Sequence, residues 1–307
     1  MHRRSRRGGG VLAAFVAVCL SAAGLSQTSP ATYSAQAPGG TQVSFDVNVL
    51  DKLGEPVPSL ESSDLVVLDN ERVVTGVTLS PAGSQPESVC IVVDDSGSTY
   101  ETAGLVQAEL RRLLAALPAE DDVCLVVFAA KAVALGGPGV PRSKLVSALS
   151  RLPKPYGPSA TVDALLLATK RLAVGAGAGG RAIILIGDGG ESHSESSESE
   201  LTAALRAVGA PVVYVISNRE TDKDKEGTQR LMRLTEQTGG TAYFVKKESQ
   251  VSAATGTLVR VLKGRYRLTF DSAATADSTH RLSLGLSNRM KQKVTMKAVR
   301  EYDVVSQ

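Results

Sequence analysis

Hydrophobic positions change their spacing three times along the chain. From Thr41, Val43, Phe45, Val47 and Val49 alternate with polar residues, which predicts a strand with one buried face. Asp51-Lys52-Leu53-Gly54-Glu55-Pro56 reads as a turn, and Asp64–Asp69 and Arg72–Leu79 as two further short strands separated by Asn70-Glu71. After the polar Pro/Gly segment 80–87 the pattern becomes continuous. Val89–Val93, Val123–Phe128, Ala182–Ile186 and Val212–Ile216 are unbroken apolar runs, as strands covered on both faces require. Between and after them, Thr102–Leu117, Arg142–Leu152, Val162–Val174, Ser197–Val208, Gln229–Gln237 and Val251–Leu262 show helical spacing. Lys131–Leu135 reads as a short edge strand, Thr241–Val245 as another strand, and Gly239-Gly240 as a helix stop. Beyond Gly264 alternation returns in Tyr266/Leu268/Phe270, Leu282/Leu284/Leu286 and Val294/Met296/Ala298.

Buried strands alternating with helices predict an α/β fold with a doubly wound, mostly parallel sheet and helices on both faces. Antiparallel β segments flank it at both ends, and the pattern leaves open whether they pair. The expected organisation is 1–26 signal peptide, 27–40 linker, 41–80 N-terminal β segment, 88–263 central α/β domain and 264–307 C-terminal β segment.

The first expectation rests on charge. Arg3, Arg4, Arg6 and Arg7 precede an apolar run, Val11–Leu25, closed by small residues. That is the build of a secretory signal, and the run is shorter than the roughly 20 residues of a spanning helix. Lys+Arg number 34 against 31 Asp+Glu; without residues 1–26 they fall to 30, a net charge of about −1 with His neutral. The basicity therefore belongs to the targeting segment. No nucleic-acid footprint and no later membrane span are expected, and the mature protein is placed outside the cytoplasm, secreted or periplasmic. Hydrophobic residues at 43% support a packed core, whereas aromatics at 4% without Trp weigh against stacking platforms for sugars or bases.

Cys90 and Cys124 remain after signal removal. They are too few for a zinc site and export permits a disulfide, yet both also fit as small buried strand residues.

Candidate chemistry lies where apolar strands end, since open parallel sheets collect functional groups beyond their carboxyl ends. Asp94-Asp95-Ser96-Gly97-Ser98 follows the first run, Gly157-Pro158-Ser159-Ala160-Thr161-Val162-Asp163 precedes a helix, and Asp188 follows Ala182–Ile186. Such oxygen donors suit hard cations. Taken singly, each also fits a helix cap or a turn.

Together the three resemble the metal-ion-dependent adhesion site (MIDAS) of von Willebrand factor type A domains, over roughly Ser88–Leu262. The resemblance implies that Asp94, Ser96, Ser98, Ser159 and Asp188 surround a divalent cation, magnesium first, with manganese or calcium as alternatives. Ser159 stands where the family has Thr, and Pro158 where a glycine is usual; Thr161 is the fallback donor. The lead-in Val47–Asn70 resembles an exported, acidobacterial-type subgroup. The implied activity is non-enzymatic: a metal-dependent, adhesion-type module whose cation takes an Asp or Glu side chain of a protein partner. The alternatives are a metal-free envelope scaffold and a hydrolase using Asp94 or Asp95 with Asp188.

Other chemistry is poorly served. Asp95-Ser96-Gly97 has no second copy for an aspartic-protease pair. His193 and His280 read as surface residues. The glycine-rich Gly175–Gly180 stretch precedes a strand, whereas phosphate cradles follow one.

Overall fold

The computed structural model describes residues 41–137, 139–152, 154–174, 179–209, 211–217, 225–245, 248–272, 278–287 and 293–304. The expected signal peptide and linker lie outside them, as do residues 175–178 of the glycine-rich stretch. The first strands are β1 (Thr41–Leu50), β2 (Leu65–Asp69), β3 (Arg72–Val73) and β4 (Thr78–Pro81). The central region runs β5 (Ser88–Asp94), α1 (Ala103–Ala116), β6 (Asp122–Phe128), β7 (Ala132–Gly136), α2 (Arg142–Leu149), α3 (Thr161–Val174), β8 (Arg181–Ile186), α4 (Glu198–Ala207), β9 (Val212–Ser217), α5 (Lys225–Thr238), β10 (Ala242–Phe244) and α6 (Glu248–Lys263). Four strands close the chain: β11 (Tyr266–Ser272), β12 (Ser278–Leu286), β13 (Thr295–Lys297) and β14 (Glu301–Val304).

The central sheet has the order β10-β9-β8-β5-β6-β7, parallel except for β7, which turns back along β6. Alternate residues of each continuous run enter different cores. Val89, Ile91 and Val93 pack with Leu110 and Leu113 of α1, Leu145 of α2 and Leu258 of α6. Cys90 and Val92 pack with Leu165 of α3, Leu205 of α4 and Leu231 of α5. Each helix covers one face, which is why these strands tolerate no polar alternation. From β5 the chain first builds outward through β6 and then returns to the other side through β8. That reversal opens the crevice in which such sheets bind ligands.

The flanking segments do pair. β1 lies antiparallel to β11, and β2 antiparallel to β12. They make two four-stranded sheets, β13-β1-β11-β4 and β14-β12-β2-β3, sharing a core of Phe45, Val47, Val67, Leu268, Phe270, Leu282 and Tyr302. The α/β region is thus inserted between the two halves of a β sandwich.

Local expectations fail at a few points. The strand expected over Arg72–Leu79 is two, β3 and β4, broken at Gly76, whose φ of 68° takes it out of extended geometry. His280, read as a surface residue, is 8% exposed. It sits on the inward-facing side of β12, a position alternation marks only through its neighbour Leu282.

Cys90 and Cys124 face each other on β5 and β6 and form a disulfide. Both are buried in the core beneath α3. The bond ties the strand carrying the first candidate loop to its neighbour. Replacing both cysteines by alanine is expected to cost about 4 kcal/mol, given the loop the bond closes. Thermal unfolding with and without reductant checks this: wild type should melt lower in reductant, while the double variant should be indifferent.

Candidate metal centre

The three candidate loops meet at the carboxyl edge of the central sheet. Asp94 is the last residue of β5, and the chain then enters a short 3-10 turn, Gly97–Thr102, ahead of α1. Asp94 Oδ1 accepts the Ser96 amide at 2.9 Å, which folds the loop back on the strand end. Ser96 Oγ and Ser98 Oγ are 3.1 Å apart. Ser96 is buried and Ser98 exposed, so this hydroxyl pair runs from the floor of the site to its mouth.

Backbone bonds hold the second loop against the first: Gly97 N donates to Gly157 O, and Tyr156 N to Asp95 O. Gly157, at φ 92°, makes the turn that permits this approach. The third loop is stitched to the second. The Ser192 and His193 amides donate to Ser159 O, Ser192 Oγ accepts the Ser159 amide, and Thr161 Oγ1 donates to Gly190 O. Thr161, the fallback donor, thus has its hydroxyl proton committed to holding a loop.

Asp188 Oδ1 accepts the Gly190 amide at 2.8 Å. A Cβ built on Gly190 would lie 3.0 Å from Asp188 Oδ1 and 3.6 Å from Ser159 Oγ, so the two oxygens flank one small space. A Cβ on Gly187 would press on Asp94 at 2.7 Å. Glycine at both positions lets the loop after β8 close over the end of β5. Asp94, Ser96, Ser98, Ser159 and Asp188 are therefore on loops joined directly to one another.

Asp94 Oδ2 is buried without a hydrogen-bond partner, and Asp188 faces it electrostatically. Burial, reinforced by the Asp188 charge against the Ser96 hydrogen bonds, pushes the Asp94 carboxyl up to about 7. Burial alone pushes neighbouring Asp95 up to about 6. Among the described residues no three His, Cys, Asp or Glu side chains gather as metal ligands. The donor set is instead two carboxylates with three hydroxyls. An orphaned carboxylate oxygen among hard neutral donors fits a divalent cation.

Sequence reasoning missed the supports. The Ser/Glu-rich stretch from Ser192 runs into α4, which Ser197 caps. Yet the Asp163 carboxylate accepts the Glu195 and Ser196 amides, and the preceding Glu191 accepts those of Val162, His193 and Ser194. These carboxylates lie near the start of α3, where N–H groups lack helical partners. The alternation of Ser and Glu was the available signal. Tyr100 and Tyr156 stand exposed on the first and second loops.

Residues 89–191 match the family model of the von Willebrand factor type A domain. The chain is also similar in fold to proximal thread matrix protein 1 from the mussel byssus. In the structure of that protein with a zinc-occupied MIDAS motif, the TM-score is 0.51 and the identity 16%, over 64% of this chain and 50% of that one. A second structure of the byssus protein gives 0.50 and 15%, over 64% and 51%. The chain thus spans about half the length of the byssus protein. A von Willebrand factor type A protein from Catenulispora acidiphila aligns with 88% of this chain and 76% of its own, at 12% identity and a TM-score of 0.49. No curated protein matches the sequence.

The raised Asp94 carboxyl has a consequence for stability. A group held above its ordinary 3.8 favours the fold while protonated. That contribution is complete below pH 4 and lost as pH rises through about 7. In chelator, Asp94→Asn should therefore unfold at a higher temperature than wild type at pH 8, by an amount equivalent to about 2–4 kcal/mol, with the gap closing near pH 4. Melting curves across that range test it; a gap independent of pH would contradict the electrostatic account.

Proposed function

We propose that the chain is an exported, metal-dependent protein-binding module of the adhesion type. The observation that supports this reading is the buried, unpartnered Oδ2 of Asp94 at a sheet edge where the loops carrying Ser96 and Ser98, Ser159 and Asp188 are hydrogen-bonded to one another. The zinc-occupied MIDAS motif in the byssus protein, a neighbour in fold, supports it.

Ser96, Ser98 and Ser159 would hold the ion through neutral hydroxyls, with Asp94 and Asp188 supplying the charge around it. A divalent cation bound there, magnesium first and manganese or calcium as alternatives, keeps unneutralised charge and takes a partner's Asp or Glu oxygen in place of water. Ser98 opens the site to that partner. Tyr100 and Tyr156 provide exposed aromatic contact beside it, the residue type that anchors protein interfaces. Among the described residues no helix is long and apolar enough to cross a membrane.

Calorimetric titration of magnesium, manganese and calcium into the protein and into a Ser96→Ala/Ser98→Ala variant tests the reading. At least one ion should bind wild type, and the variant should bind it at least about tenfold more weakly. Equal heats for the two proteins would end the proposal. The backbone amide that Ser96 gives Asp94 survives the substitution, so the first loop keeps its fold.

A further inference from the structure

The central sheet is left open along β7. The sheet ends there, and among the described residues no backbone bond leads from Ala132–Gly136 to anything but β6. None of these five residues is buried, so their outward N–H and C=O groups face water. A row of unpaired backbone groups is a template for another strand.

The other sheet edges are guarded. β3, β10 and β13 have three residues or fewer, β4 ends at Pro81, and β14 carries Glu301 and Asp303. β7 has neither charge nor proline over Ala132-Val133-Ala134-Leu135-Gly136. Val133 is 54% exposed. It shares a strand face with Leu135, which packs against the core containing Leu145 of α2. An incoming strand with an apolar residue at every second position would extend that face.

The charge around this edge is one-sided. Between Val123 and Gly187, eight Lys and Arg stand against a single acid, Asp163, whose carboxylate already accepts the Glu195 and Ser196 amides. Lys131 directly precedes β7. Just past its other end, a Cβ on Gly137 would lie 3.7 Å from Arg171 Nη1. Both cationic side chains are exposed, and among the described residues neither makes an ion pair. A cation thus stands at each end of the open edge, roughly 20 Å apart along the strand. Lys144 on α2 and Lys170 on α3 are likewise exposed and unpaired, and those helices cover opposite faces of the sheet.

We propose that β7 takes up an extended segment of a partner protein as a seventh strand, and that this segment carries Asp or Glu near both ends of the paired stretch, about six residues apart. Main-chain bonds supply the attachment, and the two end cations select the acidic sequence. A second copy of this chain fits the edge less well. Pairing β7 antiparallel with itself brings Lys131 of one copy beside Arg171 of the other, and like charges opposed across strands are destabilising.

A fluorescein-labelled peptide, Glu-Thr-Val-Thr-Val-Thr-Glu, titrated into the whole protein in chelator tests this independently of the metal reading. Fluorescence anisotropy should show saturable binding that weakens with salt. Methylating the nitrogens of both valines and of the threonine between them blocks both edges of the peptide without changing its charge. That peptide should bind at least about tenfold more weakly. A Lys131→Glu/Arg171→Glu variant should also lose about tenfold or more for the unmethylated peptide, and should instead bind its counterpart ending in Lys. Both substituted side chains are exposed, and the methylated peptide leaves the protein untouched, so misfolding of the variant does not remove the test. No saturable binding, equal binding of the methylated peptide, or undiminished binding by the variant overturns the proposal. So does a wild type that sediments as a dimer and becomes a monomer as Val133→Lys, because a second copy then holds the edge.

Discussion

Two acidic side chains pressed together at the rim of a parallel sheet set the terms for the central region. Asp94 ends β5 and Asp188 lies in the loop just beyond its neighbour β8, so the topology itself brings them together. Water cannot relieve them, because both are buried. One oxygen of Asp94 has a backbone amide and the other has no partner. Such an arrangement has two ways to lower its energy, a proton or a cation. Near neutral pH the first is failing, which leaves the hydroxyls of Ser96, Ser98 and Ser159 their significance. They offer lone pairs without adding negative charge. A site built from carboxylates alone would spend the ion's field on its own ligands. One built on hydroxyls leaves that field for an incoming acid.

Much of this was legible in the residues. Continuous apolar runs gave the covered strands, and their ends gave Asp94 and Asp188, because in a parallel sheet the end of a run is the ligand-binding rim. Ser159 came from its loop's resemblance to a family pattern, and the structure sets it beside Asp188 despite Pro158. What periodicity could not show was pairing across the chain. The partners β1 and β11 are some 220 residues apart, and alternation says which face is buried but not against which strand. The disulfide was undecidable for the same reason: Cys90 and Cys124 look alike as buried strand residues until β5 and β6 are known to be in register. His280 was misread because a polar residue in an alternating strand is normally taken as outward. Its burial depends on Asp69 and Tyr302, brought to it by two other strands, β2 and β14.

The seam between sandwich and insertion follows from a single buried cation. Arg265 is fully enclosed between Glu87, at 2.7 Å, and Asp46, at 3.3 Å, and Arg267 shares Asp46. Asn48 adds hydrogen bonds to Gly239 O and from Tyr214. Removing one member of such a cluster leaves an uncompensated charge in the interior, at a cost of about 3–5 kcal/mol. Hydrophobic contact alone would let the two parts slide; a buried cation that must stay beside its two carboxylates fixes their placement.

That seam also bears on the metal centre. Glu87 immediately precedes β5, and Asp94 ends it, so one strand of seven residues runs from the ionic cluster to the candidate site, a rise of roughly 23 Å. At its midpoint stands the bond to Cys124. On the other side of the insertion, α6 passes through Gly264 straight into Arg265 and β11. A Cβ at Gly264 would strike Pro56, so the junction is packed closely against the sandwich. Both crossings between sandwich and insertion are therefore anchored beside the same guanidinium. The strand that ends at the rim is thus disulfide-tied to its neighbour and begins beside a buried ion cluster, so the rim keeps a fixed direction relative to the sandwich.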